Sequence, residues 1–385
     1  MKIKNILKPL IKGTMFVLRV FPIKENKVVF SAFSARTYGD NPRFIAEKII
    51  EIGLPIDCVF VLKDPDNFQL PDGIRKVKYN TISYLYEMVT ACIWVDNTRK
   101  QPYIVKRHGQ TYIQTWHGGI SFKMVEKDVE SSLDKEYVKT AISDSKKIDY
   151  LLTNSLWGEK QLRRCFWYDG KIICTGSARL DLLFSQTITE KKELKKTFGM
   201  EFEEHVLLYA PTFRKDKRLD VYDIDYINLI SALKKRFGGD WKILLKLHPN
   251  ISNLKCNLPE SVIDVTLYPD INQLYGIADV LITDYSSSIF DFSILKKPAF
   301  IYAKDIKEYS QDRNTYFDIK KLPFILAENN KELVNIIEKF DEKQYRIELE
   351  RFHDKLGLVE DGHASERIVE IIKKIISRRN KDGEE

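Results

Sequence analysis

The chain has no pair of cysteines in a C-x-x-C spacing; its five cysteines, Cys58, Cys92, Cys165, Cys174 and Cys256, are scattered and odd in number. That argues against a disulfide framework or a cysteine-based zinc site and fits a reducing compartment. No apolar run is long enough to span a bilayer. The run from Met15 to Val20 is broken by Arg19 and lacks a small-residue cleavage site, so no secretory signal is expected. There is no G-x-x-x-x-G-K-(S/T) and no G-x-G-x-x-G, which removes the P-loop and the dinucleotide fingerprint. H-E-x-x-H and acidic triads are also missing, so neither a metal nor a cofactor is expected. No internal repeat or low-complexity linker stands out.

What is present is ordinary globular composition at 385 residues, with 44% hydrophobic and 30% charged residues, enough for about two domains. The net charge of +7 favours acidic partners such as phosphates or anionic lipid. No nucleic-acid partner is expected. The first residues are informative: Ile3, Ile6, Leu7, Leu10, Ile11, Phe16, Val17 and Leu18 alternate with Lys2, Lys4, Lys8, Lys12 and Arg19. A basic amphipathic segment of this kind suits either an anionic membrane surface or the protein's own core. Pro9 is expected to kink or restart the helix.

From Lys27 onward, short apolar runs alternate with helical stretches. Strands are expected at 28–33, 57–62, 92–95, 111–116, 149–153 and 171–174. A second set is expected at 206–210, 241–247, 280–282, 299–302 and 324–326. Thr189 is placed to cap a lysine-rich helix between the sets. The C-terminal segment carries Ile368, Val369, Ile371, Ile372, Ile375 and Ile376 on one helical face and Lys373, Lys374, Arg378, Arg379 and Lys381 on the other. Strands alternating with helices imply βαβ units and parallel sheets, whose ligands bind beyond the strands' carboxyl ends.

Five such ends carry chemistry. His117 follows a strand directly and precedes Gly118 and Gly119, with Lys123 six residues on. A histidine near neutrality suits a general base for a hydroxyl, or equally a turn held by hydrogen bonds. Arg179 and Asp181 follow the tight turn at Gly176. Arg214 ends Ala210-Pro211-Thr212-Phe213-Arg214, and a guanidinium there is well shaped for phosphate. Lys246 and His248 share one side of their strand. In 279–298, the strand Val280–Ile282 ends in Thr283, Asp284, Tyr285, Ser286, Ser287 and Ser288, followed by an apolar-periodic helix. Free N–H groups at that junction attract phosphate, while Ser288 with Asp291 also fits a capping pair; both roles remain open.

Together these segments make the chain resemble the CDP-glycerol glycerophosphotransferase family, the teichoic-acid primases and polymerases of Gram-positive bacteria. The matching stretches are Tyr38-Gly39-Asp40-Asn41-Pro42, QTWHGG at 114–119, GSARLD at 176–181, APTFR at 210–214, LKLHP at 245–249, TDYSSSIFDF at 283–292, RNTYFD at 313–318 and EDGHASERI at 360–368. They run in the family's order over nearly the whole chain. Three departures stand out: Gly119-Ile120 where many members have Thr-Pro, Ala178 where many have Pro, and Asn314 where many have Gly.

The resemblance implies a GT-B-like α/β fold of two Rossmann-like, doubly wound domains facing across a cleft. It implies transfer of a polyol phosphate from a CDP-activated donor to a hydroxyl of a lipid-linked saccharide or growing polymer, with release of CMP. Glycerol phosphate is the first choice; ribitol phosphate, a nucleotide-sugar glycosyltransferase and a silent binding protein are the alternatives. By motif, His117 takes the acceptor proton, and His248 acts with it at the donor's leaving group. Arg214, Lys246, Thr283, Ser286, Ser287 and Asp291 hold the donor. Asp40, Asn41, Gly118, Lys123, Arg179, Asp181 and Arg313 serve the acceptor side or support it. The expected division is 1–25 for membrane association, 26–188 for the acceptor domain, 189–364 for the CDP-donor domain and 365–385 for a basic C-terminal helix and tail. Both terminal segments are expected to touch an anionic membrane surface on its cytoplasmic face, peripherally.

Overall fold

The computed structural model describes residues 2–214, 222–247, 258–306, 308 and 314–382, with the side chains of 2–7 and 380–382 left out of the description. The chain divides into two compact units. The first comprises Met1–Gly119, Val125–Asp181 and Leu358–Glu385; the second comprises Ile120–Met124 and Leu182–Gly357.

The first unit is built on seven strands: β1 (Lys24–Ser31), β2 (Asp57–Leu62), β3 (Ile74–Lys78), β4 (Ala91–Asp96), β5 (Thr111–Gln114), β6 (Tyr150–Thr153) and β7 (Lys171–Cys174). They pair in the order β3-β2-β1-β4-β5-β6-β7, and every pairing is parallel. A parallel sheet must be covered on both faces, which is why its strands read as near-continuous apolar runs. Val29, Val59, Val61, Trp94 and Tyr112 face the helices Ile82–Thr90 and Leu156–Cys165. Their neighbours Val28, Phe30, Phe60, Ile93, Val95 and Ile113 face Asp40–Glu51 and Ala364–Asp382.

The second unit holds β8 (His205–Tyr209), β9 (Trp241–Leu245), β10 (Val262–Asp264), β11 (Val280–Thr283), β12 (Ala299–Tyr302) and β13 (Ile325–Ala327). Their order is β10-β9-β8-β11-β12-β13, again all parallel. In both sheets the order reverses beside the first strand, between β1 and β4 and between β8 and β11. These are the switch points at which doubly wound sheets open a crevice.

Several expectations shift. The strands β3 and β10 have no counterpart in the sequence reading. Both are sheet edges: β3 alternates buried Ile74 and Val77 with exposed Arg75, Lys76 and Lys78, and β10 is three residues long. Thr187, not Thr189, caps the helix Ile188–Thr197, in a reciprocal capping box with Glu190. The first helix runs through Pro9 as one element, Lys2–Val17. It rests Met15 in the core with Ile11 and Leu18 beside it, and leaves Leu10, Phe16 and Val17 exposed.

The C-terminal helix Ala364–Asp382 carries an apolar face and a basic face, and the apolar face turns inward. Ile368, Val369 and Ile372 are buried in the first unit's core. Asp181 caps that helix, its carboxylate accepting from the N–H groups of Ala364 (3.0 Å) and Ser365 (2.7 Å). These ties carry residues 358–385 back to the first unit, so the compact units are drawn differently from the boundaries expected at 188/189 and 364/365.

Candidate active site

The first unit's candidate site is assembled by backbone that bends against its usual preference. After β1, Phe33, Ser34 and Ala35 all take positive φ, at 47°, 58° and 64°. Such a left-handed run costs roughly 1–2 kcal/mol per residue. Asn97 and Thr98, just past β4, hold it: the Phe33 N–H donates to Asn97 Oδ1 at 2.7 Å and the Ser34 N–H to Thr98 Oγ1 at 3.0 Å. Trp116, past β5, is likewise left-handed, at φ 52°. Both turns explain why β1 and β5 stop short of their expected ends.

The turn at Trp116 leaves His117 exposed beside Asn97. His117 Nδ1 lies 2.9 Å from the Asn97 carbonyl oxygen. A carbonyl can only accept, so Nδ1 carries the hydrogen and, in the neutral ring, Nε2 presents its lone pair. The ring is flanked by Trp116 at 4.1 Å and Phe33 at 5.7 Å between centroids. A neutral imidazole held this way can accept a proton at Nε2.

Asn41 braces the same turn. Its Nδ2 donates to the Trp116 carbonyl (3.1 Å) and its Oδ1 accepts from the Arg179 N–H (3.1 Å). Asp40 Oδ2 lies 3.6 Å from Arg179 Nε, with both side chains nearly buried. Of the acceptor-side residues, Asp40, Asn41 and Arg179 thus form one brace under His117, and Asp181 is a helix cap. Gly118 has open space where a Cβ would stand, whereas a Cβ on Gly119 would lie 2.0 Å from the Asn154 amide. Glycine at 119 is therefore set by close packing. Glu360 accepts from the Ser177 N–H through both oxygens, at 3.0 and 3.1 Å, and burial pushes its carboxyl up to about 7.

The second unit's candidate site lies past β8 and β11. Arg214 spends its whole guanidinium internally. Nε and Nη2 grip Asp305 at 2.7 and 3.1 Å, Nη2 reaches Asp284 at 2.9 Å, and Nη1 donates to the carbonyl and hydroxyl of Thr212 at 2.8 and 2.6 Å. These bonds use all five N–H donors of an arginine. Burial raises the Asp284 carboxyl, offset only in part by Arg214; burial would raise Asp305 too, but its bonds to Arg214 hold it below the usual range. Arg214 is therefore a strut across the switch point, its donors engaged by Asp305, Asp284 and Thr212.

Thr283 is likewise turned inward, donating to the Ala210 carbonyl at 2.6 Å and tying β11 to β8. Ser287 Oγ accepts from the Phe122 N–H at 3.0 Å. Ser288 does not cap with Asp291: it is the first residue of the helix Ser288–Ser293, and Ser286 Oγ accepts its N–H at 3.2 Å while donating to its hydroxyl at 2.9 Å. Asp291 is half-buried in the first turn of that helix. Lys246 Nζ donates to the carbonyls of Thr266 (2.8 Å) and Tyr268 (2.7 Å), and burial lowers its pKa. Lys123 sits in the short segment 120–124, bridged to Thr315. His248 and Arg313 lie outside the described residues. Among the described residues, no three His, Cys, Asp or Glu side chains gather as a metal set.

Asn97, Phe33, Asp284, Asp305 and Glu360 were not singled out from sequence. Asn97 follows a strand and could have been found by the strand-end rule. Asp284 and Glu360 lie inside quoted motifs. Asp305 carries no local signal.

Two parallel doubly wound sheets, with a poised histidine past one strand end, define a GT-B-like α/β protein. The chain belongs to the CDP-glycerol:poly(glycerophosphate) glycerophosphotransferase family, whose pattern it matches over residues 14–374. It is 31% identical to a teichoic acid glycerol-phosphate transferase of Staphylococcus aureus, covering 96% of this chain and 99% of the relative. It is also 31% identical to a teichoic acid poly(glycerol phosphate) polymerase of Staphylococcus epidermidis, over 93% of this chain but only 52% of that one, so it spans about half of that longer relative. A solved structure of the wall teichoic acid polymerase TagF, soaked with CDPG, superposes with a TM-score of 0.85 at 30% identity, covering 98% of this chain and 96% of that one. Ribitol-phosphate primases and polymerases are further relatives.

Proposed function

We propose that the chain transfers a polyol phosphate, glycerol phosphate in the first instance, from a CDP-activated donor to a hydroxyl of a lipid-linked saccharide or teichoic-acid-type polymer. The acceptor oxygen forms a bond to the phosphorus bearing the polyol. The bond from that phosphorus to the CMP oxygen breaks, CMP leaves, and the acceptor proton passes to His117 Nε2. The observation that carries this reading is the bond from His117 Nδ1 to the Asn97 carbonyl, which leaves Nε2 as an acceptor. Such a transfer needs positioning and charge stabilisation more than covalent chemistry by the protein.

On the donor side, Ser286, Asp291 and Lys246 are placed as direct contacts, with His248 by family motif, while Arg313 belongs by its motif with the acceptor-side or supporting residues. Arg214 and Thr283 support the site from beneath. The protein works peripherally at the cytoplasmic face of the membrane. Leu10, Phe16, Val17 and Val20, between 65% and 80% exposed, support this, as do the neighbouring Lys8 and Lys12. No helix among the described residues is long and apolar enough to cross a bilayer.

The test is incubation with CDP-glycerol, CDP-ribitol and UDP-sugars, each with lipid-linked acceptors, followed by chromatography of released nucleotide. CMP from CDP-glycerol above CDP-ribitol is expected. CMP from CDP-ribitol alone would change the polyol. UDP release, or no turnover over a broad acceptor panel, would overturn the reading.

A further inference from the structure

A pocket in the first unit lies at the carboxyl ends of β1 and β4, where the strand order reverses. Along this face of the sheet the inner layer is apolar, with Val29, Val59, Trp94 and Tyr112. The last layer breaks the pattern: Val61, Ser31, Asp96 and Gln114 stand side by side in register. The helix Ile82–Thr90 roofs the space with Tyr84, and Ser34 and Thr98 stand at its rim. The volume is about 450 Å³ including the open mouth.

Two hydroxyls line it without a hydrogen bond among the described residues. They are those of Ser31, 6% exposed, and Tyr84, 4% exposed. Facing an open pocket, these hydroxyls are available to a ligand that replaces water as their hydrogen-bond partner. The cations here are already matched: Lys100 Nζ lies 2.6 Å from Asp96 Oδ2, and Arg99 Nη2 lies 2.6 Å from Glu126 Oε2, all four side chains nearly buried. An anion would have to break a desolvated pair to gain a partner. The pocket therefore suits a neutral group rich in hydroxyls, with the ring of Tyr84 as an apolar wall.

The rim and the base share their supports. Thr98 follows Asn97, whose carbonyl sets His117, and Ser34 follows Phe33, whose ring flanks the imidazole. We propose that this pocket seats the neutral polyhydroxylated unit, sugar ring or polyol, that adjoins the acceptor hydroxyl. The assignment rests on the transferase reading above.

The full chain and its Tyr84→Phe and Ser31→Ala variants, each first checked for an unchanged melting temperature, are titrated without donor. The two probes are a soluble glycoside of the acceptor saccharide and a short glycerol-phosphate oligomer. Each variant should weaken the bound probe about two- to tenfold, the value of one hydrogen bond. With donor present, the acceptor KM should rise by the same factor while the CDP-glycerol KM stays put. The probe that responds identifies the source of the unit, saccharide or polymer end. Unchanged probe affinity in both variants, no binding of either probe to the wild-type chain, or a donor KM that moves in step would overturn the proposal. If the wild-type chain binds a probe yet releases no CMP, the transferase reading fails while the titration still decides the pocket.

Discussion

His117 Nδ1 lies 2.9 Å from the Asn97 carbonyl oxygen, and that bond decides which ring nitrogen can take a proton. His117→Ala should lower the transfer rate by about 10²–10⁴-fold, the usual worth of a general base. Equilibrium dialysis should find CDP-glycerol affinity little changed; an equal loss of affinity would place His117 on the donor instead. Arg214 calls for the opposite pattern. With two carboxylates around it and 7% exposure, its truncation leaves Asp284 and Asp305 buried and unpaired. Arg214→Leu should cost about 3–5 kcal/mol in urea unfolding, as breaking a buried pair does. Full stability with donor binding lost would restore it as a phosphate ligand. The histidine's placement past a strand end was legible, because it directly follows an apolar run and precedes two glycines. Arg214's role was not, because its main partner lies 91 residues away in sequence.

Among the elements, the strands sandwiched between helix layers were readable from their apolar runs, and the edge strands β3 and β10 were not. The edges β7 and β13 keep short apolar runs, whereas β3 gives Arg75, Lys76 and Lys78 to solvent and β10 is only three residues long. The strand ends near His117 were overshot for a different reason. Tertiary bonds from Asn97 and Asn41 stabilise left-handed backbone at Phe33 and Trp116 that local preference disfavours.

Helix packing also leaves a pH signature. His353, in the helix Glu342–Leu356, sets Nε2 2.8 Å from Ser293 Oγ, and burial lowers its pKa to about 4. A free imidazole titrates near 6.5, so the folded state keeps this ring neutral. Its contribution is present above about 6.5 and is lost as pH falls toward 4. The urea midpoint of the wild-type chain should fall more steeply between pH 7 and 4.5 than that of His353→Gln. Parallel curves would remove His353 from the acid response.

For the whole molecule, the two terminal helices look alike in sequence and part company in the fold. The C-terminal helix buries its isoleucines in the first unit. The N-terminal helix spends Ile11, Met15 and Leu18 on packing and leaves Phe16 and Val17 outside. Phe16→Asp with Val17→Asp should therefore reduce co-sedimentation with phosphatidylglycerol vesicles severalfold at low salt while the melting temperature holds. Unchanged sedimentation would sink the membrane role of this helix.

The sequence by itself determined the α/β class, the parallel sheets and the family, because apolar periodicity and ordered motifs are local properties of the chain. Tertiary structure alone decided which face of each amphipathic helix is free, which polar groups past the strand ends are open and which are spent, and where the backbone turns left-handed. Those outcomes depend on partners distant in the chain: Asp305 for Arg214, Asn97 for Phe33 and His117, Ala364 and Ser365 for Asp181. A hydrogen bond or ion pair takes its value from what stands opposite, and local sequence does not say what that is.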